Sequence, residues 1–414
     1  MSSFFASRWV ERPDHVTELA GTGLPEGFRA AGVACGIKPS GAKDLALIVS
    51  DTAETTSAAR FTRSGVLGAP VLLTMERCDL EHIRAVVINS GNANTATGGF
   101  GLDNAAKMQG SAAMASGVGS ERAVAVASTG VIGVQLPMRE ITRGIVAATH
   151  ELKPEGDLEF AQAIQTTDAF DKRARLQVEL PSGTVMLTAQ AKGAGMIQPG
   201  FATLLVFVQT DAAMSAETAD LLLGVTVERS FERISVDGQL STSDTVILQA
   251  SGASGVRIEQ ETEDELRFGE ALDALMRQLA LLVAKDGEGA RRTGRVVVHG
   301  GSQELVERVA RAVANSPLVK TALYGGDPNW GRVAQAVGMA TSGLAPVPLD
   351  ITIEGVEVCA RGALRPFDAE ALKEAVQRDE VQYEIGLPGA GAETEVFFSD
   401  LGHEYVTINA DYTT

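Results

Sequence analysis

Short apolar runs alternate with small-residue turns along the first half of the chain. The runs have the length and β-branched content of strands and are bounded by Gly, Asn or Asp: LALIV at 45–49, APVLLTM at 69–75, IRAVVINSGNAN at 83–94 and RAVAVASTGVIG at 122–133. The stretch LDNAAKMQGSAAMASGV at 102–118 instead carries Ala and Met at helical spacing. The first half is therefore predicted to form strands connected by helices.

The second half continues this alternation. LLVFVQT at 204–210 and RVVVHG at 295–300 have the composition of strands. Helices are predicted from ETADLLLGVTVERSF, which has acidic residues near its start, from SQELVERVARAVANS, and from the long amphipathic stretch FGEALDALMRQLALLVAKDGEG, which stops at glycine. LDITIEGVEVCA and EVFFSDLGHEYVTINADY complete the pattern. Because strands and helices interleave throughout, the predicted fold class is a layered α/β or α+β protein.

The composition is that of a soluble globular protein, with 45% hydrophobic residues and a mean hydropathy of +0.07. The formal net charge is −18 without any basic cluster, which argues against nucleic acid or an anionic membrane as a partner. Cys35, Cys78 and Cys359 lie far apart with no CxxC spacing, so neither a disulfide framework nor a metal site is predicted. No stretch has the pattern of a secretion signal or the length of a membrane span, and a cytoplasmic location is expected.

Familiar catalytic motifs are missing, and polar groups concentrate in turns. The five histidines lie outside nucleophile-activating or metal-binding motifs, and no P-loop or Rossmann fingerprint is present. NSGNAN at 89–94 and STGVIG at 128–133 follow apolar strands, and KGAG at 192–195 adds a lysine. Such stretches are first of all turns. Their glycine amides can also bind a developing oxyanion, so the three loops could converge on one pocket.

The Ala202-Thr203 join places a hydroxyl at the start of an apolar strand. Threonine is a good strand residue, and this alone would explain its presence. As a nucleophile, Thr203 would need a base, and no histidine motif supplies one. Its own α-amine can serve if Thr203 is an N-terminus, which requires Thr203 Oγ to attack the Ala202 carbonyl and the resulting ester to be hydrolysed.

Seven motifs in order along nearly the whole chain resemble one family. They are GFRAAGVACGIK, INSGNAN, ASTGVIG, KGAGMIQPGFAT, ISVDGQLSTSDT, NSPLVKTALYGGDPNWGR and YVTINADYTT. Together they resemble the ornithine acetyltransferases, the bifunctional glutamate N-acetyltransferase/amino-acid acetyltransferases of arginine biosynthesis. The resemblance implies an N-terminal-nucleophile-like sandwich of sheets and helices, of the type shared with self-processing aminopeptidases.

The resemblance also implies that the chain cuts itself between Ala202 and Thr203. Residues 1–202 would form an α chain and residues 203–414 a β chain, intertwined in one structural unit and assembled as an α2β2 heterotetramer. Thr203 would be the nucleophile. Thr129 and Gly130 would form the oxyanion hole.

Further positions match the family's substrate-binding residues. They are Lys192, Glu288, Asn409, Thr414 and one of the pair Thr166 and Thr167, with Thr203 itself also contacting substrate. A lysine suits the carboxylate of an N-acetylated amino acid, whereas an acid and an amide suit an amine. Taken alone, Lys192 reads as a solvated loop lysine, Glu288 as a helix-end carboxylate and Thr414 as a frayed terminus.

The activity implied by the resemblance is acetyl transfer in two steps. Thr203 takes the acetyl group of N-acetylornithine and releases ornithine, and glutamate then accepts the acetyl group. No cofactor or metal is expected, and acetyl-CoA is open as a further acetyl donor.

The sequence departs from the family's motifs at Arg63, Ala169, Gln239 and Ser243, in FTRS, TTDA and VDGQLSTSD. These changes put the identity of the substrate in doubt. A paralogue of a secondary pathway, of the clavulanate type, stays open. So do a self-processing aminopeptidase or amidase that gives the acyl group to water and an uncut binding protein without catalysis.

Overall fold

A computed structural model describes residues 3–198, 204–344 and 346–411 of the chain. In the first of these ranges the strands and helices are β1 (Val16–Glu18), β2 (Phe28–Val33), β3 (Leu45–Ser50), β4 (Thr56–Phe61), α1 (Ala69–Arg77), β5 (Ala85–Asn92), α2 (Gly98–Ser116), β6 (Val124–Val131), α3 (Met138–His150), α4 (Asp157–Ile164), β7 (Lys172–Leu180) and β8 (Gly183–Lys192).

In the later ranges they are β9 (Leu205–Thr210), β10 (Ala213–Met214), α5 (Ala216–Arg229), β11 (Ile234–Ser235), β12 (Thr245–Ala250), β13 (Arg257–Ile258), α6 (Glu263–Lys285), β14 (Thr293–His299), α7 (Gln303–Ala314), α8 (Pro317–Gly325), α9 (Trp330–Ala340), β15 (Asp350–Ile353), β16 (Val356–Ala360), β17 (Ala363–Leu364), α10 (Ala369–Ala375), β18 (Glu380–Gly386), β19 (Glu393–Ser399) and α11 (His403–Asp411).

Two sheets pack face to face between helices. The first has the strand order β2-β3-β5-β6, and the second has the order β1-β7-β8-β9-β12-β4. Alternation along β5 puts Val87 in a core with α1, α2 and α3, whereas Val86 joins Phe207 of β9 in the core between the sheets. On its outer face the second sheet packs against α5 and α6, where Val206 and Leu275 share a core. The layers therefore run helix, sheet, sheet, helix, and the predicted layered α/β class is confirmed.

Strands from both halves of the sequence interleave in the second sheet. β9 pairs with β8 in antiparallel and with β12 in parallel fashion, and β12 pairs with β4 in antiparallel fashion. Two strands that follow position 203 are thus held between strands that precede it. The pairing makes this sheet a single unit across the predicted cleavage point.

A third sheet, in the order β11-β19-β14-β18-β15-β16-β17, carries α7, α8 and α9. Apolar residues of these helices, such as Val309, Leu323 and Val337, pack with Val296 and Ile385 of the sheet. After its last strand, β19, the chain forms α11, none of whose described side chains is buried. This helix contacts the pocket described below.

One predicted strand is wrong. APVLLTM, expected as a strand, forms the first part of α1, which begins after Gly68 and has Pro70 in its first turn. Proline suits the first turn of a helix, because the backbone N–H that it lacks would be unpaired there. Val71, Leu73 and Thr74 are buried, so the apolar run that looked like a buried strand is the inner face of a short helix.

The other predicted elements form close to their expected positions. The long amphipathic helix, α6, begins five residues before Phe268 because Thr262 caps it by accepting a hydrogen bond from Glu265 N. Cys35, Cys78 and Cys359 are free thiols. Within the described residues, no helix combines the length and the apolar character needed to cross a membrane.

Candidate active site

A pocket of about 210 Å³ lies where the ends of β6 and β8 meet loops from both halves of the sequence. It is lined by Ala93, Thr129, Gly130, Ile132, Thr166, Thr167, Lys192, Gly195, Met196, Asp237, Gln239, Ser241, Thr242, Ser243, Glu288, Tyr405 and Asn409. The stretches NSGNAN, STGVIG and KGAG all contribute to this lining, so their predicted convergence on one pocket is confirmed. Their interpretation as turns is wrong in part, because residues 89–92, 128–131 and Lys192 form the last residues of β5, β6 and β8.

Most of the predicted site residues lie in this pocket. Those that line it are Thr129, Gly130, Thr166, Thr167, Lys192, Glu288 and Asn409. The predictions for Ala202, Thr203 and Thr414 fall outside the described residues. The positions brought together were separated by as many as 280 residues, because Thr129 lies in β6 and Asn409 in α11.

Thr129 and Gly130 stand where β5 and β6 approach each other closely. These strands pair in parallel, with Ser90 opposite Thr129 and Gly91 opposite Gly130. Gly130 has φ of +127°, and a Cβ at this position would lie 2.4 Å from the carbonyl carbon of Gly91 and 2.6 Å from Asn92 N. Only glycine allows this approach, which fixes the backbone at the pocket wall.

Lys192, the last residue of β8, brings an ammonium group into the pocket wall although it is only 2% exposed. Its Nζ donates to Thr129 Oγ1 at 3.2 Å, and it forms no ion pair within 4.0 Å among the described residues. Burial lowers the pKa of Lys192, and the charge of Asp168 opposes this shift most strongly. A buried cation that forms no ion pair with the described residues suits the binding of an anionic group of a ligand.

The lysine also determines what Thr129 can do. An ammonium group only donates hydrogen bonds, so Thr129 Oγ1 accepts the bond from Lys192. The hydroxyl hydrogen of Thr129 therefore stays available to donate to another acceptor, as an oxyanion-binding group must.

Glu288 and Asn409 form another wall of the pocket. Asn409 Nδ2 on α11 donates to Glu288 Oε2 at 2.6 Å. The backbone N–H of Glu288 donates to Ala194 O at 3.0 Å, and a Cβ on Gly195 would lie 2.9 Å from the carboxyl carbon of Glu288. The acid therefore rests against the KGAG loop that begins with Lys192, and the pocket has a cationic and an anionic wall.

Thr166 and Thr167 both line the pocket, in the loop that follows α4. The sequence left open which of them contacts a substrate, and the geometry admits both. The loop is anchored at its start, because Lys38 Nζ donates to Gln165 O at 2.7 Å. Burial lowers the pKa of Lys38 to about 8.

Asp237 and Asp244, which were not among the predicted site residues, both position backbone near the site. Asp237 accepts hydrogen bonds from Met196 N at 2.6 Å and Ile197 N at 2.9 Å, which shapes the loop after KGAG. Asp244 is fully buried, and its Oδ1 accepts from Leu204 N at 2.9 Å. Burial raises the pKa of Asp244 well above its usual value. Both acids belong to the motif ISVDGQLSTSDT, so their place in a recognised motif was the sequence signal that could have marked them as residues of the site.

The four unusual positions separate into two groups. Gln239 and Ser243 line the pocket, so these departures change groups that a substrate can meet. Arg63 instead forms an ion pair with Glu232 at 2.7 Å, and Ala169 donates its backbone N–H to a buried carboxylate. Of the four departures, only those at Gln239 and Ser243 place a different side chain in the pocket lining, so these two bear most directly on which substrate is bound.

A family model described as the ArgJ family matches residues 29–414. The chain belongs to the ArgJ family. The relative named arginine biosynthesis bifunctional protein ArgJ from Caldanaerobacter subterraneus subsp. tengcongensis is 40% identical over 397 residues, covering 94% of this chain and 98% of the relative. Its counterpart from Symbiobacterium thermophilum is 41% identical over 398 residues, covering 95% and 98%. A solved ornithine acetyltransferase from Mycobacterium tuberculosis, complexed with ornithine, is 38% identical and covers 46% of this chain and 99% of that one, with a TM-score of 0.41.

The resemblance drawn from the seven motifs is thus confirmed at the level of the ArgJ family. In this ArgJ chain the pocket joins a buried ammonium, an acid–amide pair and a hydroxyl beside a glycine-backed strand end. Such a set of groups can hold a small molecule that carries both a carboxylate and an amine.

Proposed function

We propose that this ArgJ-family chain transfers the acetyl group of N-acetylornithine to glutamate, giving ornithine and N-acetylglutamate in arginine biosynthesis. The observation that carries the proposal is Lys192, a buried ammonium at the pocket that donates to Thr129 Oγ1 and forms no ion pair with the described residues. Such a cation supports recognition of the α-carboxylate of an N-acetylated amino acid. The names of the relatives, bifunctional proteins of arginine biosynthesis, support the pathway.

The proposed nucleophile is Thr203, freed as an N-terminus by cleavage after Ala202. The titratable side chains among the described lining residues are Lys192, Asp237, Glu288 and Tyr405, and none of them is a histidine. Because the described lining offers no histidine as a base, we propose that the α-amine of Thr203 itself takes the proton. In cleavage, Thr203 Oγ attacks the Ala202 carbonyl carbon, the peptide C–N bond breaks as its nitrogen gains a proton, and water hydrolyses the ester.

The proposed transfer uses the same hydroxyl twice. The α-amine takes the proton of Thr203 Oγ as the oxygen attacks the acetyl carbonyl, and the oxyanion is held by Thr129 and Gly130. The proton then passes to the departing α-nitrogen of ornithine, and an acetyl ester remains on Thr203. The amine of glutamate attacks this ester through the same oxyanion, and Thr203 Oγ regains a proton as N-acetylglutamate leaves.

The pocket walls suggest how the donor is held. Lys192 binds the α-carboxylate, while Glu288 and Asn409 bind the side-chain amine at the opposite wall. We assign a further substrate contact to Thr166 or Thr167. We also propose that Thr414, in the C-terminal segment, contacts the substrate.

The remaining parts of the proposal concern co-substrates and assembly. The reaction needs no cofactor, and acetyl-CoA is the proposed second donor for the glutamate acceptor. The two fragments form an α2β2 heterotetramer in the cytoplasm. Offering acetyl-CoA without N-acetylornithine tests the second activity directly.

The acceptor experiment separates a transferase from a hydrolase. Purified protein is incubated with N-acetylornithine, with and without glutamate, and the products are quantified by mass spectrometry. We expect N-acetylglutamate to form in step with ornithine, and only when glutamate is present. Free acetate as the main product under both conditions would instead identify an amidase.

Two substitutions at the proposed nucleophile provide the controls. Thr203→Ala removes the hydroxyl, so the chain should stay uncut and inactive. Thr203→Ser keeps a hydroxyl and should still be cut. An uncut Thr203→Ala chain that transfers acetyl at the wild-type rate would rule out this nucleophile.

A further inference from the structure

A second buried lysine, Lys172, joins two carboxylates behind the pocket. Its side chain is 0% exposed, and its Nζ donates to Asp168 Oδ1 at 2.7 Å and to Asp286 Oδ2 at 2.5 Å. The two acids are themselves buried, with side chains 0% and 3% exposed. Charges buried in this way are tolerated because they are paired, and removing one partner leaves an uncompensated charge.

Each carboxylate also holds backbone that belongs to the pocket. Asp168 accepts hydrogen bonds from Gly193 N at 2.8 Å and from Thr166 N at 3.0 Å. Asp286, two residues before the pocket acid Glu288, accepts from Ala169 N at 3.1 Å. Lys172 therefore sits at the meeting point of the three loops that carry the pocket's threonine pair, its lysine and its acid.

Asp168 interacts electrostatically with both Lys172 and Lys192. Burial raises the pKa of Asp168, but the charges of Lys172 and Lys192 outweigh it and hold that pKa below its usual value. Only Lys172 forms an ion pair with Asp168 among the described residues. Lys192, one residue before the Gly193 amide that Asp168 binds, donates to Thr129 Oγ1 instead.

We propose that Lys172 is a positioning residue for substrate recognition: by occupying Asp168 it keeps the Lys192 ammonium available for the carboxylate of the acetyl donor. The inference rests on the proposed function, in which Lys192 binds that carboxylate. Without Lys172, Asp168 and Asp286 are left as buried anions. Lys38 and Lys192 both interact with the charge of Asp168, but Lys38 Nζ already donates to the carbonyl oxygens of Lys43 and Gln165. Lys192, which directly precedes the Gly193 amide that Asp168 binds, is therefore the cation that can compensate Asp168. Lys192 is then drawn onto Asp168 and away from the substrate.

The test is a comparison of two donors on the variant Lys172→Met. One donor is N-acetylornithine, and the other is its carboxamide, N-acetylornithinamide, which has the same shape without the anionic charge. We expect the ratio of kcat/KM for the acid to that for the amide to fall about tenfold or more in Lys172→Met, through a higher KM for the acid. Where turnover of the amide is too slow to follow, the ratio of its Ki to the KM of N-acetylornithine is measured instead, since neither constant depends on the amount of folded protein.

The ratio is measured within one variant, so a loss of folded protein cancels. Arg173→Met is the matched control, because Arg173 is the next residue of β7 and pairs with the buried Asp157 at 2.8 Å, outside the pocket lining. We expect this variant to lose stability and to keep the wild-type ratio. An equal loss for both donors in Lys172→Met, as for any structural defect, would overturn the proposal.

The double variant Lys172→Met/Asp168→Asn removes both the lysine and the anion that captures Lys192. We expect its ratio to return toward the wild-type value, which a purely structural role of Lys172 does not predict. If Lys172→Met does not fold, the single variant Asp168→Asn is used in its place. Its acid-to-amide ratio of kcat/KM should not fall below the wild-type ratio, and a fall would overturn the proposal.

The wild-type enzyme separates this proposal from the proposed function. If it transfers acetyl but uses acid and amide equally well, the role of Lys192 is contradicted. If it does not transfer acetyl, the proposed function itself is contradicted.

Discussion

At the scale of single residues, Gly130 shows how a missing side chain controls the pocket. In Gly130→Ala the new Cβ would lie 2.4 Å from the carbonyl carbon of Gly91, and the alanine would have to adopt a φ of +127°. We expect kcat to fall about a hundredfold as the oxyanion-binding wall shifts, with a loss of about 3 kcal/mol in the free energy of unfolding. Steady-state kinetics and urea unfolding measure both effects.

Gly133→Ala is the control for backbone strain alone. Gly133 has φ of +82°, and a Cβ there meets no atom within 4 Å. We expect Gly133→Ala to lower the free energy of unfolding by about 1 kcal/mol and to leave kcat unchanged. Wild-type kcat and stability in Gly130→Ala would show that close strand approach is not what the pocket requires.

Site residues could be predicted only where a motif marked them. Thr129 and Lys192 were found because they stand in recognisable motifs, yet the sequence read alone made Lys192 a solvated loop lysine, whereas it is buried. The link between Lys172 and Asp286 spans 114 residues and exists only in the folded chain. No local pattern reports such a pair, because its partners meet through sheet pairing and helix packing.

At the scale of elements, α8 carries a buried lysine whose charge depends on pH. Lys320 Nζ donates to Ser399 O on β19 at 2.6 Å, and burial lowers the pKa of Lys320 to about 7 against the opposing charges of Asp237 and Asp400. The unfolded chain keeps this proton up to a pKa near 10.5, so between these values the unfolded state binds more protons. Raising the pH across this window therefore stabilises the folded state through Lys320.

Lys320→Met removes this dependence. We expect the free energy of unfolding of the wild type, relative to Lys320→Met, to increase between pH 7 and pH 10. Urea unfolding of both proteins at several pH values across the window measures the difference. A difference that is constant with pH would mean that Lys320 titrates alike in both states.

Elements were predictable where the pattern was long. The periodicity of α5, α6 and α7 gave helices at the expected places. Helices α5 and α7 each bury one apolar face over several turns, and α6 is buried on most of its sides in its second half. APVLLTM was wrongly predicted as a strand because a run of seven mostly apolar residues fits a buried strand as well as a short helix, and Pro70 was the discriminating signal. The order of strands within each sheet depends on distant pairing and had no local signature.

At the scale of the whole molecule, the second sheet explains how a cut chain can remain one protein. β9 and β12 lie between β8 and β4, so the strands on either side of the proposed cut share hydrogen bonds. The pocket likewise takes Thr129 and Lys192 from the first half and Glu288 and Asn409 from the second. Cleavage is therefore expected to leave the fragments associated, with separation only in denaturant.

Mass spectrometry of two aliquots of one preparation provides the decisive test. The first is measured under native conditions, and the second is exposed briefly to N-acetylornithine, quenched with acid and measured under denaturing conditions. We expect one complex under native conditions, and two chains under denaturing conditions, 1–202 and 203–414, the second heavier by one acetyl group that maps to Thr203. An active protein that remains a single 43.3 kDa chain, or a cut one that transfers acetyl without ever carrying it on Thr203, would contradict it.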